Sequence, residues 1–160
     1  RIRAGGVSDA TVCLSDLMAT CAGITGARLP ADAGEDSVSN LPLWVGSGSG
    51  EVRDATVHHS FDGSFSIRKG RWKLELCPGS GGWSPPRPGA ECEGLPPLQL
   101  YDLQDDVGER RNVSAAHPGV VAELRAQLVR IIEEGRSTPG PRQPNTGPAD
   151  WAQLAWMHEA

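Results

Sequence analysis

The chain has 160 residues, including 20 glycines and 13 prolines, and a formal net charge of −5. Its length fits one domain with tails, and its glycine and proline content predicts extensive loops. The negative charge argues against nucleic acid and anionic membranes as partners, and no apolar stretch approaches the ~20 residues of a membrane span. The sequence starts at Arg1 without a leader, so we expect a piece of a longer reading frame or a processed chain.

The N-terminal part predicts one extended segment followed by a helix. Residues 11–14 are β-prone, Ser15 fits an N-cap, and Asp16 suits the first helical turn. Apolar residues follow at helical spacing, namely Leu17, Met18, Cys21 and Ile24. Residues 31–50 are predicted as mostly loop, with a candidate short turn of helix around 36–43, and they end in the Gly/Ser connector 46–50.

The central part predicts an antiparallel sheet. Residues 55–60 are a candidate strand, and residues 64–68 and 71–76 alternate polar and apolar side chains around a Lys69-Gly70 turn. A lone hairpin is marginal in water, so a further strand is needed, and residues 98–102 fit that role. The hairpin should bury one face and leave the other in contact with water.

The clearest helix is predicted after His117, with Pro118 at its first position and Gly135 at its end. Its apolar stripe, expected to pack on the sheet, comprises Val120, Val121, Leu124, Leu128, Ile131 and Ile132. The tail from 137 to 150 is rich in proline and glycine. We expect the apolar end of the chain, with Trp151 and Trp156, to dock on this fold or on a neighbouring part.

Five groups of residues could carry chemistry. Adjacent His58 and His59 could supply one contact to an anionic substrate or an acid/base group, because only one of two neighbours on a strand faces a given pocket; the alternative is one exposed and one hydrogen-bonded histidine. Cys77 and Cys92 flank the loop 78–91 and could form a disulfide if its ends meet, and the sequence leaves both redox states open. Trp83, on that loop, could stack on a sugar or aryl ring.

Two charged groups have simpler interpretations. The acidic residues at and after the end of the strand predicted at 98–102 could bind calcium, but their spacing differs from the twelve-residue calcium loop, and support of a tight turn is favoured. They are Asp102, Asp105, Asp106 and Glu109. The basic residues of the hairpin could line a pocket for an anion, although a solvated face is favoured. They are Arg68, Lys69, Arg71 and Lys73.

Several segments, in order, resemble the sulfatase family. Residues 15–20 are similar to its "D-L-x-x-T" helix, residues 34–42 to its "D-G-x-S-x-x-P" turn, and residues 63–74 to its "G-x-F-A-I-R-x-G-x-W-K-L" hairpin. Residues 95–113 resemble the signature "P-x-x-LYDL-x-x-D-x-GE-x-x-N" near the C-terminus of these enzymes. The resemblance implies an α+β fold, in which a small antiparallel sheet is packed by a long C-terminal helix. It assigns 1–50 to the end of an alkaline-phosphatase-like α/β domain, 51–136 to the C-terminal subdomain, and 137–160 to a tail.

The resemblance also implies a reaction. Sulfatases hydrolyse aryl or carbohydrate sulfate esters with a formylglycine, made in a Cys/Ser-x-Pro-x-Arg motif, and a calcium ion. Neither that motif nor the N-terminal Asp-Asp pair that holds the calcium in these enzymes occurs here, and Ser84-Pro85-Pro86-Arg87 has the wrong spacing. We therefore expect no catalytic or metal-binding residue in this chain, no activity alone, and at most substrate contacts from His58 or His59. The implied partner is the missing N-terminal catalytic domain, and the implied location is periplasmic or secreted.

Two other functions stay open. The chain could be a non-catalytic module that binds a protein or an anionic saccharide, or a subunit that completes its fold with a separate partner. Exposed apolar surface separates these hypotheses. A piece of a sulfatase should expose Val12, Leu14 and Leu17, where the main domain belongs, whereas an independent module should not.

Overall fold

The computed structural model describes residues 2, 4–48, 50–148 and 151–158. The chain divides into two compact units, one formed by residues 1–56 with 131–145 and the other by residues 57–130 with 146–160. The boundaries expected at 50/51 and 136/137 concern the domains of sulfatases and stay a prediction. Position 49 of the predicted connector and positions 149 and 150 of the predicted tail lie outside the described residues.

A four-stranded sheet forms in the order β1-β2-β3-β4. The strands are β1 (Thr56–His59), β2 (Phe65–Lys69), β3 (Trp72–Glu75) and β4 (Gln99–Asp102). β2 pairs antiparallel with β3, and β3 antiparallel with β4, so that Ile67, Leu74 and Leu100 lie side by side. The α+β fold class, the hairpin and the additional strand are confirmed.

The long helix, α3 (Pro118–Glu134), begins at the predicted proline. Gly135 follows it with a φ of 64°, a conformation that costs glycine little. Leu124 and Leu128 are fully buried on α3, as are Ile67, Leu74 and Leu100 on the sheet. These five side chains form the core of the second unit, as the stripe and the strand alternation predict.

The chain end docks on the second unit. A 3-10 helix, Ala152–Met157, follows Trp151. The ring centroids of Trp151 and Trp156 lie 6.0 and 6.5 Å from that of Phe65. Gln153 Nε2 donates to the carbonyl oxygen of Asp62 at 2.7 Å. The expected docking of the apolar tail is confirmed.

The first unit contains α1 (Leu17–Thr25) and α2 (Leu41–Val45), with a 3-10 turn, Leu14–Asp16, before α1. The strand predicted at 11–14 does not form, and the prediction of Ser15 as N-cap is wrong. A strand needs a neighbour to complete its hydrogen bonds, and none of the described strands pairs with these residues. Asp16, rather than Ser15, immediately precedes α1, and its carboxylate accepts the backbone N–H of Cys13 at 2.9 Å.

Across the described ranges, no helix combines the length and the apolar character needed to cross a lipid bilayer.

Candidate functional site

A cavity of about 240 Å³ lies on the polar face of the sheet. Ser66 pairs with Glu75 on this face, opposite to the one that buries Ile67 and Leu74. The residues lining the cavity are His58, His59, Ser60, Ser64, Phe65, Ser66, Lys73, Glu75, Cys77 and Ser80. Most of these side chains carry hydroxyl, imidazole or charged groups, so the cavity suits a polar ligand.

The two histidines of β1 have different surroundings. The His59 ring packs against Phe65, with centroids 4.1 Å apart, and lies 6.4 Å from Trp151. Phe65 is 6% exposed and belongs to the buried face of the sheet. Because adjacent strand residues point to opposite faces, His58 lies on the polar face with Ser66. His58 is therefore the better candidate for ligand contact, and the role of either histidine stays a prediction.

Lys73 is a charged residue that lines the cavity. Its ammonium lies 2.8 Å from both carboxylate oxygens of Glu109 and 2.7 Å from Glu75 Oε1. Burial alone would lower the pKa of Lys73, but the hydrogen bonds to Glu109 and Glu75 outweigh it and raise the pKa above its usual value. Two carboxylates outnumber the single ammonium, so this cluster offers no excess positive charge to a ligand. Strand alternation in the sequence places Lys73 and Glu75 on the face of the sheet opposite to that of Leu74, so their position in the cavity could be predicted.

Cys77 lies at the edge of the cavity as a buried thiol. Its Sγ donates to the carbonyl oxygen of Gly79 at 3.2 Å, and burial raises the pKa of the thiol. Cys92 Sγ donates to the carbonyl oxygen of Arg87 at 3.2 Å. Cys77 and Cys92 are not bonded to each other in this structure. Both sulfurs lie close to Gly79, since Cys77 Sγ contacts its carbonyl oxygen and a Cβ added to Gly79 would lie 2.5 Å from Cys92 Sγ. The Cys77–Cys92 disulfide stays a prediction for oxidising conditions.

Two of the four basic hairpin residues, Arg71 and Lys73, pair with carboxylates of the acidic turn. Arg71 Nε donates to Asp102 Oδ1 at 2.6 Å, and its Nη2 contacts Asp102 and Asp105. The hydrogen bond from Arg71 holds the pKa of Asp102 below its usual value. Asp106 accepts the backbone N–H groups of residues 110 and 111, each at 2.8 Å. The acidic residues thus support the turn, as favoured above.

A buried polar network that the sequence did not reveal holds the first unit together. Asp16 is fully buried, and its carboxylate accepts hydrogen bonds from Arg53 and, at 3.0 Å, from the backbone N–H of Val38. Thr20 Oγ1 donates to the carbonyl oxygen of Asp16 at 2.7 Å and accepts the N–H of Asn40 at 2.9 Å. These contacts join the segments 15–20 and 34–42 that carry the family resemblance. Arg53 had no sequence signal, since no spacing rule links it to Asp16.

The first unit also exposes large apolar side chains around the start of α1. The exposed fractions are 54% for Val12, 86% for Leu14, 51% for Leu17 and 48% for Met18. These four residues are called the apolar N-terminal surface below. Its exposure is the feature expected of a piece that packs against a missing domain.

Known proteins resemble this chain in sequence and fold. No protein-family model matches it. An N-acetylgalactosamine-6-O-sulfatase of Bacteroides thetaiotaomicron is 32% identical over 119 residues, which cover 72% of this chain and 22% of that protein. A solved structure from Bacteroides thetaiotaomicron is 30% identical, with a TM-score of 0.58, over 72% of this chain and 24% of that one. It is described as a 6S-sulf, in connection with the metabolism of multiple glycosaminoglycans.

A second solved structure, of BT1596, a 2-O GAG sulfatase, shares the fold with a TM-score of 0.51 at 24% identity, over 82% of this chain and 30% of that one. The chain thus spans less than a third of the length of each of these relatives. The chain therefore belongs to the sulfatase family, of which it represents a C-terminal portion.

Proposed function

We propose that this chain is the C-terminal portion of a sulfatase that acts on a sulfated carbohydrate, and that it contributes subdomain structure and substrate contacts rather than the catalytic centre. The relative from Bacteroides thetaiotaomicron is named an N-acetylgalactosamine-6-O-sulfatase, which supports a saccharide substrate. The observation that carries the proposal is the cavity at His58. It offers an imidazole and several serine hydroxyls on the polar face of the sheet.

This donor set suits a sulfated sugar ring. Sulfate and sugar hydroxyl oxygens accept hydrogen bonds, which imidazole and hydroxyl groups can donate. A protonated histidine also offers charge to a sulfate, in a cavity where Lys73 is already matched by Glu75 and Glu109. We therefore assign the anion contact to His58.

The described residues do not fit the calcium ion and the formylglycine of the family. No group of three or more His, Cys, Asp or Glu side chains that could hold a metal occurs in the ranges the structure describes. The carboxylates of the acidic turn are engaged by Arg71 and by backbone N–H groups. We place both groups in the missing N-terminal part, and the chain alone should be inactive.

The proposed partner is that catalytic part, docked on the apolar N-terminal surface. A folded module that works alone would gain nothing from exposing Val12, Leu14, Leu17 and Met18 to water, which supports the enzyme piece over the binding module. For the complete protein we propose a periplasmic or secreted location, as in the sulfatases that the motifs resemble.

The test is binding of N-acetylgalactosamine 6-sulfate to the purified chain, followed by NMR of its backbone amides. We expect shifts at His58, Ser60 and Ser66, and roughly tenfold weaker binding in His58→Gln, the loss typical of one charge-assisted hydrogen bond. His158→Gln, at an exposed position near the chain end, is the matched control. Equal affinity of the His58→Gln variant and the unmodified chain would contradict the assignment. Release of sulfate by the chain with calcium would contradict its predicted inactivity.

A further inference from the structure

Two aromatic rings stand exposed beside the cavity. Phe61 is 73% and Trp83 76% exposed, and their ring centroids lie 4.7 Å apart with the planes tilted by 40°. Single exposed apolar residues are ordinary on protein surfaces, but a contacting pair of large rings in water forgoes substantial hydrophobic stabilisation. Phe61 and Trp83 are called the aromatic platform below.

The platform adjoins the cavity through its own neighbours in sequence. Phe61 directly follows Ser60, and Trp83 lies three residues after Ser80, and both serines line the cavity. The two segments are joined by a hydrogen bond from the backbone N–H of Asp62 to the carbonyl oxygen of Gly81, at 2.9 Å. A ligand in the cavity that extends in this direction would reach the rings.

The backbone beneath the rings is held by hydrogen bonds. Ser60 Oγ and the Ser64 N–H donate to Asp62 Oδ1 at 2.7 and 2.9 Å, and Arg87 Nε donates to the carbonyl oxygen of Trp83 at 3.0 Å. Gly81 allows close packing here, because a Cβ would lie 2.4 Å from Ser60 Oγ. A platform fixed before binding loses little conformational entropy when a ligand arrives.

We propose that the aromatic platform binds a second pyranose ring of the saccharide, next to the sulfated unit in the cavity. One face of a pyranose presents C–H groups, which stack on an aromatic ring while the hydroxyls point outward to water. Because the rings of Phe61 and Trp83 are tilted by 40° to each other, one can contact the face of a sugar ring and the other its edge. Two side chains flanked by Ser60, Asp62 and Ser80 form a small and mostly polar-edged site, which suits one sugar unit better than a protein interface of roughly 800 Å² per partner.

The inference rests on the proposed function only in taking the ligand to be a saccharide. The experiment tests binding at the platform and binding in the cavity separately. The probes are N-acetylgalactosamine 6-sulfate, which reaches only the cavity, and a chondroitin 6-sulfate tetrasaccharide, which reaches both sites. The Trp83 indole N–H resonance of the full 160-residue chain reports on the platform. We expect the tetrasaccharide to shift it and the monosaccharide to leave it unchanged.

Variants define the contact. We expect Trp83→Ala and Phe61→Ala to weaken tetrasaccharide binding roughly fivefold and to leave monosaccharide binding unchanged. Trp83→Phe should retain most of the affinity, whereas Trp83→Leu, which keeps apolar area without an aromatic face, should lose it. Leu14→Ala, exposed in the first unit, is the control. Both rings are exposed, so thermal unfolding should be unaltered in all variants.

Three results would overturn the inference. The first is a Trp83 resonance that does not shift at saturating tetrasaccharide, and the second is full tetrasaccharide affinity in Trp83→Leu. The third is concentration-dependent self-association of the chain that Trp83→Ala abolishes, because the platform would then be a protein contact. Loss of monosaccharide binding in His58→Gln concerns only the proposed function. Tetrasaccharide binding that depends on Trp83 but not on His58 would support the platform and refute the cavity assignment.

Discussion

At the scale of single residues, burial and backbone conformation decide which positions tolerate change. Asp16 and Arg53 have side chains 0% and 5% exposed and neutralise each other. Gly135 has a conformation that other residues adopt only with strain. Neither the partner of Asp16 nor the contact of Gly135 could be predicted from the sequence, because each joins residues whose proximity exists only in the folded chain.

Replacing Asp16 by Asn should destabilise the first unit by about 3 kcal/mol, since Arg53 is left as an uncompensated buried charge. Although burial raises it, hydrogen bonds from Val38, Cys13 and Arg53 lower the pKa of Asp16 below 3.8 overall. Its contribution is thus present above pH 3.8 and is lost as the pH falls through the folded-state pKa. Urea unfolding between neutral pH and pH 3 measures both effects.

The control for this prediction is Asp9→Asn, at an exposed position. It should leave the stability and its acid dependence unchanged. An Asp16→Asn variant with the same acid dependence as the unmodified chain would show that Asp16 carries none of it.

Gly135→Ala should destabilise the chain by more than 1 kcal/mol. Its φ is 64°, and an added Cβ would lie 2.3 Å from the carbonyl oxygen of Gln143. Gly119→Ala, within α3 and with no atom near the new methyl group, should instead stabilise it by about 0.5–1 kcal/mol. Opposite shifts in the urea midpoint are expected, and equal shifts would contradict the argument.

At the scale of elements, periodicity predicted most of what the structure shows. Alternation in 64–68 and 71–76 predicted the hairpin, and the stripe after Pro118 predicted α3, because both patterns are set by local geometry. The prediction of a strand at 11–14 was wrong because a strand needs a partner, and no strand in the described part of the chain pairs with these residues. The division of roles between His58 and His59 required the ring contact with Phe65.

Tyr101 tests the environment of β4. It is the only tyrosine of the chain, so the tyrosinate absorbance reports on it alone. Burial, with the nearby carboxylates of Glu75 and Glu109, raises its pKa to about 12 from the ordinary value of 10.0. We expect an absorbance midpoint near 12 in the folded chain and near 10 in denaturant.

The raised pKa of Tyr101 has a consequence for stability. A group whose folded-state pKa is raised contributes stability below its unfolded-state pKa and loses it as the pH rises through the folded-state pKa. The chain should therefore become less stable between pH 10 and about 12. A folded-state titration near pH 10 would show that Tyr101 is not buried as described.

The loop between β3 and β4 tests the predicted Cys77–Cys92 disulfide. Under oxidising conditions we expect a peptide pair with the mass of a Cys77–Cys92 link and a stabilisation of about 3 kcal/mol from closing the loop. Bond formation should be slow at neutral pH, since burial raises the pKa of Cys77 and depletes the reactive thiolate. Cys92→Ser is the control, and persistence of both free thiols under oxidation would refute the link.

At the scale of the whole molecule, the apolar N-terminal surface distinguishes a piece of a larger enzyme from an independent module. The chain should bind a dye specific for exposed apolar surface, and Leu14→Asp with Leu17→Asp should reduce that binding by more than half without lowering the melting temperature. Val107→Asp, also highly exposed but in the second unit, is the control. Equal dye binding by all three proteins would remove the argument for a docked catalytic part.

The contrast between Gly81 and Trp83 bears on how such enzymes change their preferences. Position 81 admits only glycine, because any side chain would collide with Ser60. Position 83, two residues later, carries a ring that is 76% exposed and packs against the exposed ring of Phe61. Selection can thus exchange the residue at 83 while the loop keeps its fixed attachment, and related chains that differ at this one position should differ in the saccharides they prefer without differing in stability.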